Sequence, residues 1–242
     1  EIADPAPARE LVLDAVTDRT RLALLDHVTS PTGVVWPIAQ LVSKLAERGV
    51  DTLVDGAHAP GMIDLDIPST GAAYYTGNCH KWICAPKGAA FLWVRRDLQS
   101  GVRPVTISHG ANATREDRSR FLLEFDWVGT HDPTAYLAVP DALRFMGSLV
   151  TGGWPEVRQR NHDLVLRARD ILCAVLDVPA PAPDDMLGSL AAVPLPPGAG
   201  PPPTSPLYTD PLQDELLRRD GIEVPVIPWP AHPHRLIRVS AQ

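Results

Sequence analysis

Short apolar runs alternate with amphipathic stretches through the first hundred residues, and the spacing of the apolar positions changes between them. Residues 21–27 read as a buried strand that ends in Asp26 and His27, and Ser30-Pro31-Thr32-Gly33 reads as a turn. From Pro37 onward Ile38, Leu41, Val42 and Leu45 fall at i, i+3, i+4 and i+7, one face of a helix that Gly49 stops. Further strands are expected over 50–55, 72–76 and 89–94. Strand, helix and strand in this order predict an α/β fold with a mostly parallel sheet flanked by helices.

Beyond Gly101 the pattern changes. A charged loop over 114–120 precedes a stretch, 121–130, that ends in Gly129-Thr130. A long helix is expected over 154–176, with Val157, Leu164, Val165, Ala168, Leu172 and Val175 on its apolar face and arginines opposite. Residues 179–183 break it, and 194–206 read as a proline-rich connector, too poor in N–H donors for regular structure. A small α/β unit follows, with a helix over 211–220 and strands over 222–227 and 235–240. The expected organisation is a partial large domain over 1–150, then a connecting helix and a small C-terminal domain over 151–242.

Charge and cysteine content narrow the possibilities. The net charge is −7 and no basic block occurs, so the electrostatic footprint of a nucleic-acid binder is missing. No apolar run is long enough to span a bilayer, and residues 1–9 lack the layout of a signal peptide. A cytoplasmic protein with no membrane partner is expected. Cys79, Cys84 and Cys173 are too few for a disulfide framework, and Cys79-His80 with Cys84 fits no common zinc spacing, so no metal is expected. The chain begins at Glu1 without a methionine and stops at Gln242 inside an apolar pattern, which reads as a fragment.

Chemistry gathers at the strand ends. Parallel sheets bind ligands beyond the carboxyl ends of their strands, and Asp26-His27, Asp55 to His58, and Thr76 to Lys81 all fall there. Lysine occurs only at 44, 81 and 87 although Lys and Arg together number 22, so arginine carries the ordinary surface charge. An ε-amine can lose its proton when buried and form a Schiff base, which a guanidinium cannot. Lys87, in Pro86-Lys87-Gly88, reads as an exposed turn residue, whereas Lys81 lies in an aromatic, apolar setting 26 residues after Asp55. Taken singly, Lys81 could be a surface lysine, Asp55 a cap on the following turn and His80 a core histidine. Together, an acid, a lysine and two histidines suit pyridoxal 5'-phosphate, which needs a lysine imine, an acid beside the pyridine nitrogen and donors for its phosphate. A carboxylate about 4 Å from that nitrogen is worth at most roughly 4 kcal/mol at an effective dielectric near 20, enough to hold it protonated.

Four segments carry a family resemblance: Val54-Asp55-Gly56-Ala57-His58-Ala59-Pro60-Gly61, the run from Tyr75 to Gly88 around His80-Lys81-Trp82, Trp127-Val128-Gly129-Thr130, and Ile237-Arg238-Val239-Ser240. In these the chain resembles fold type I pyridoxal-phosphate enzymes of the class V aminotransferase group, most closely the isopenicillin N epimerase-like branch. The resemblance implies that Lys81 forms the imine, Asp55 pairs with the pyridine nitrogen and His58 lies near the phenolic oxygen. It also implies that Asn78 and His80 help hold the phosphate, that Thr130 reaches the phosphate of a neighbouring subunit's cofactor in a homodimer, and that Arg238 takes the substrate carboxylate. The resemblance also implies an earlier segment with a phosphate-binding turn and a group stacked on the ring, which is expected to lie before Glu1.

The leading expectation is therefore an enzyme that acts at the Cα of a small amino-acid substrate, with epimerisation through the Lys81 imine. A carbon–sulfur lyase or an aminotransferase of the same family is the alternative, since all three share the first proton abstraction. A noncatalytic binding module that keeps the fold is the reading from another class, and intact Asp55 and Lys81 argue against it.

Overall fold

A computed structural model describes residues 5–205 and 209–242. The site-bearing sheet has four strands in the order β1 (Leu22–Asp26), β2 (Asp51–Gly56), β3 (Tyr74–Asn78) and β4 (Ala90–Val94). The first three run parallel and β4 returns antiparallel to β3, so the expectation of a mostly parallel sheet holds. Because side chains alternate along a strand, the register sorts them into two faces. Leu25, Val54, Tyr75 and Trp93 lie side by side on the core face, while Asp26, Asp55 and Thr76 line up on the opposite face at the carboxyl edge.

After an N-terminal helix α1 (Pro5–Asp14), the helix predicted from Ile38, Leu41, Val42 and Leu45 forms α2 (Ile38–Ala46), and all four residues are buried. Each such side chain contributes about 1.5–3 kcal/mol on leaving water. Ile38, Leu41 and Val42 meet Val54, Tyr75 and Leu190 in one cluster, which also contains Trp82, Ala59 and Met62. Trp82, the residue after Lys81, is therefore part of the core.

Between β4 and the long helix lie three helices that the apolar pattern does not announce, α3 (Arg120–Asp126), α4 (Thr134–Leu137) and α5 (Val139–Ser148). Helix α6 (Gly153–Leu176) follows as expected, with a different inner face. Val157, Val165, Arg169 and Cys173 are buried, whereas Leu164 and Val175 are exposed. Arg169 takes a core position because its guanidinium is paired with Asp170 and Asp184 and also donates to Ala182 O at 3.4 Å, which offsets the cost of burying its charge. A search for apolar side chains at helical spacing passes over such a residue.

The second sheet is antiparallel, with β5 (Leu190–Leu195) and β6 (Val226–Pro228) on either side of β7 (Arg235–Ser240) and α7 (Pro211–Asp220) beside them. The strand expected over 222–227 shortens to β6, and Pro194 belongs to β5 instead of opening a connector. Proline is tolerated there because β5 is an edge strand, free to lack an N–H donor on its outer side. The two sheets are joined by main-chain bonds: Val34 bridges Leu187, and Val35 N donates to Met186 O at 2.8 Å. These bonds bring the loop after β1 against the segment that leads into β5.

Candidate active site

Beyond Asn78 the chain turns through Cys79 and His80 to Lys81 and returns as β4. Cys79 N donates to Ala89 O at 2.9 Å, Ala85 N to Cys79 O at 3.1 Å, and His80 Nδ1 to Ala89 O at 3.0 Å, so the loop is closed from within. Gln242 Nε2 clamps it from the far end of the chain, reaching Lys81 O at 3.3 Å and Trp82 O at 3.4 Å. The Lys81 backbone is thus held while its amine, partly buried, has no hydrogen bond or ion pair among the described residues. Burial lowers the ammonium pKa; Asp55 opposes this and Arg238 reinforces it. Lys44 by contrast pairs with Glu47, and Lys87 is exposed.

Asp55 stands at the end of β2 beside Gly56, where Oδ1 accepts the Ala57 N–H at 2.8 Å. It does cap the following turn, with one oxygen. Its other oxygen has no hydrogen-bond partner among the described residues. His58 follows that turn and is buried, its Nδ1 3.3 Å from Trp82 Nε1. Burial first, then Lys81 and Arg238, push the His58 pKa down to about 4 against the pull of Asp55. These mutual influences place Asp55, His58, Lys81 and Arg238 within electrostatic reach of one another.

Arg238 comes from the middle of β7 and is reached only through the tertiary fold. Its Nη1 donates to Ser30 O at 2.6 Å and lies 3.2 Å from Ser30 Oγ, in the loop after β1. Its Nε is buried with no partner among the described residues. An N–H left in that state costs about 1–3 kcal/mol unless a ligand accepts from it. The free amine of Lys81 and this unpaired guanidinium N–H suit a carbonyl-bearing cofactor and a carboxylate-bearing substrate. Asn78 ends β3, and its side chain has no hydrogen-bond partner among the described residues. Thr130 lies outside the group: it is exposed and bonds to none of the four.

Sequence reasoning missed a brace beneath the site. The Tyr75 ring crosses Gly56 on the core face, stacks on Phe91 and places its hydroxyl 2.8 Å from His27 Nδ1. His27 N donates to Asp55 O at 2.8 Å, which ties the brace to the acid. Burial lowers the His27 pKa to about 4 as well. An unfolded chain binds protons at both histidines below about pH 6.5, whereas the folded protein resists them until about pH 4. Stability should therefore fall as pH drops through that window and be insensitive to these two groups above it. Urea midpoints at pH 7.5, 6 and 5 check this, and a flat profile in a His27→Gln, His58→Gln double variant would assign the slope to these rings.

An amine held short of its usual basicity, a carboxylate and a neutral imidazole beyond the carboxyl edge of a parallel sheet, with an arginine reaching in from β7, are groups of the kind that pyridoxal phosphate calls for. The family model "Aminotransferase class-V" matches residues 6–195, and the chain belongs to that family. Over 99% of its length it is 36% identical to an isopenicillin N epimerase of Amycolatopsis lactamdurans, of which it covers 60%. A probable chloroplastic L-cysteine desulfhydrase of Arabidopsis thaliana is 38% identical over 74% of the chain and is covered to 37%. Thus the chain spans less than two thirds of these relatives. The solved cystine C–S lyase C-DES, in complex with its product cysteine persulfide, superposes with a TM-score of 0.69 at 22% identity, over 97% of this chain and 60% of that one. This last likeness concerns the fold.

Proposed function

We propose that this chain carries the lysine-bearing part of a pyridoxal-phosphate enzyme that removes the Cα proton of a small amino acid, with epimerisation as the outcome. The observation that carries the reading is the unpartnered Lys81 amine, its ammonium pKa lowered by burial, within electrostatic reach of Asp55 and Arg238. Pyridoxal phosphate, when bound, supplies the electron sink that makes this proton acidic. Asp55 would face its pyridine nitrogen, His58 its phenolic oxygen, and Asn78 and His80 its phosphate. Arg238 would receive the substrate carboxylate, and Lys81 Nζ would take the Cα proton from one face; epimerisation then requires a second acid to deliver a proton to the opposite face. The exposed Thr130 suits a role toward a neighbouring subunit, so a homodimer is part of this proposal.

Epimerisation is preferred to its rival because the likeness to epimerases reaches across 99% of the chain, β7 and Arg238 included, whereas the Arabidopsis desulfhydrase is similar over 74%. Carbon–sulfur elimination is the second reading, supported by that same relative, and needs only one base. Incubating the full-length protein and pyridoxal phosphate with candidate amino acids in deuterated water separates the two. An epimerase returns substrate labelled at Cα and otherwise intact. Release of sulfide and a keto acid from cysteine would overturn it in favour of the lyase.

A further inference from the structure

The residue after the lysine has a geometry that the reaction scheme above leaves unused. Trp82 Nε1 lies 3.3 Å from His58 Nδ1, with both side chains buried. An indole N–H can donate and has no lone pair to accept with, so Nδ1 must be the acceptor in this pair. A neutral imidazole carries its single proton on the other nitrogen. The tautomer of His58 is thereby decided: Nε2 bears the hydrogen and Nδ1 the lone pair.

Three features hold the pair in place. The indole packs in the core cluster with Ala59, Met62, Tyr75 and Leu190, so it has little freedom to turn away. Gly61, at φ +85°, brings the turn that carries His58 against the Trp82 backbone, where an added Cβ would stand 2.9 Å from both C and O of Trp82. Gln242 Nε2 donates to the Trp82 carbonyl at 3.4 Å. Charge also favours neutrality, since burial, Lys81 and Arg238 all disfavour an imidazolium and only Asp55 supports one.

We infer that Trp82 is a positioning residue that locks His58 as its Nε2–H tautomer, making His58 a fixed hydrogen-bond donor to an anionic ligand oxygen and removing it as a proton acceptor. The identity of that oxygen, the phenolic one of pyridoxal phosphate, rests on the proposed function; the tautomer does not. A donor fixed in this way stabilises the oxygen's negative charge, and the lock leaves Lys81 to move the proton without competition from the imidazole beside it.

The test uses full-length protein with ring-15N histidine, in wild-type form and as Trp82→Phe, first without and then with pyridoxal phosphate. In the cofactor-free wild type, NMR should show a pyridine-type Nδ1 and a protonated Nε2 for His58, unchanged from pH 8 to 5. Trp82→Phe should mix the tautomers and shift the absorption band of lysine-bound cofactor, with kcat reduced about five- to tenfold and KM little changed, the worth of one hydrogen bond. A wild-type His58 protonated at Nδ1, or charged at pH 6, overturns the inference whether or not the variant folds. A variant with unaltered tautomer and absorption band overturns it equally. Because the first spectrum needs no cofactor, failure to bind pyridoxal phosphate would count against the proposed function alone.

Discussion

Lys81→Ala in the full-length protein is expected to abolish the absorption band of lysine-bound pyridoxal phosphate, together with the adduct that borohydride fixes, and to lower turnover by ~10³-fold or more. The expectation follows from position as much as from residue type. Lys81 is the partly buried lysine within electrostatic reach of Asp55, His58 and Arg238, with an amine that makes no hydrogen bond or ion pair to a described residue. Lys44 is held by Glu47 on the surface of α2, and Lys87 is exposed on the return to β4. Lys87→Ala is therefore the control, and it should keep band, adduct and turnover. Alanine at 81 removes no core side chain, and the loop stays closed by the Cys79, His80 and Ala85 bonds to the main chain. The variant should therefore fold, and a normal melting curve with no band would assign the loss to the amine itself. A band that survives in Lys81→Ala would remove the chemical basis of the proposed function.

Gly56→Ala should destabilise the protein by about 1–3 kcal/mol, as overpacking does in a filled core, and weaken cofactor binding with it. A Cβ at Gly56 would run into the Tyr75 ring. That ring cannot give way cheaply: it is fully buried, stacked on Phe91 with planes 8° apart and held at its hydroxyl by His27. Any shift would pass to Asp55, the neighbour of Gly56 whose carbonyl accepts from His27 N. Gly101→Ala serves as the comparison, since nothing lies within 4 Å of a Cβ there, and its urea midpoint should match the wild type. If Gly56→Ala were as stable as Gly101→Ala and bound cofactor normally, the brace under the acid would have no structural weight.

How much could be read in the chain differs from residue to residue. The face of α2 was legible because four apolar side chains at i, i+3, i+4 and i+7 have one way to reach a core, and all four do. The inner face of α6 was not, because Arg169 became a core residue through Asp184 and the Ala182 carbonyl, partners separated from it by a proline-broken loop. Pro194 could join a strand only because β5 lies at a sheet edge, a fact about its neighbours. Helices α3 to α5 lack the strict apolar period of α2 and left too weak a signal, with one buried residue each in α3 and α5 and none in α4.

The same division runs through the site. Asp55, His58, Asn78, His80 and Lys81 follow two neighbouring parallel strands, so local pattern plus the rule that ligands gather at carboxyl ends was enough to group them. By itself the sequence determined which residues can do the chemistry, because amines, carboxylates and imidazoles carry their reactivity with them, and strand periodicity says which edge they occupy. Only the tertiary structure decided their states. It buried Lys81 and His58 and so lowered their pKa values, set Arg238 against Ser30 from a strand 208 residues away, and turned the Trp82 indole onto His58 Nδ1. Protonation and tautomer depend on desolvation and on what lies within a few ångströms, and those distances exist only once both sheets have packed.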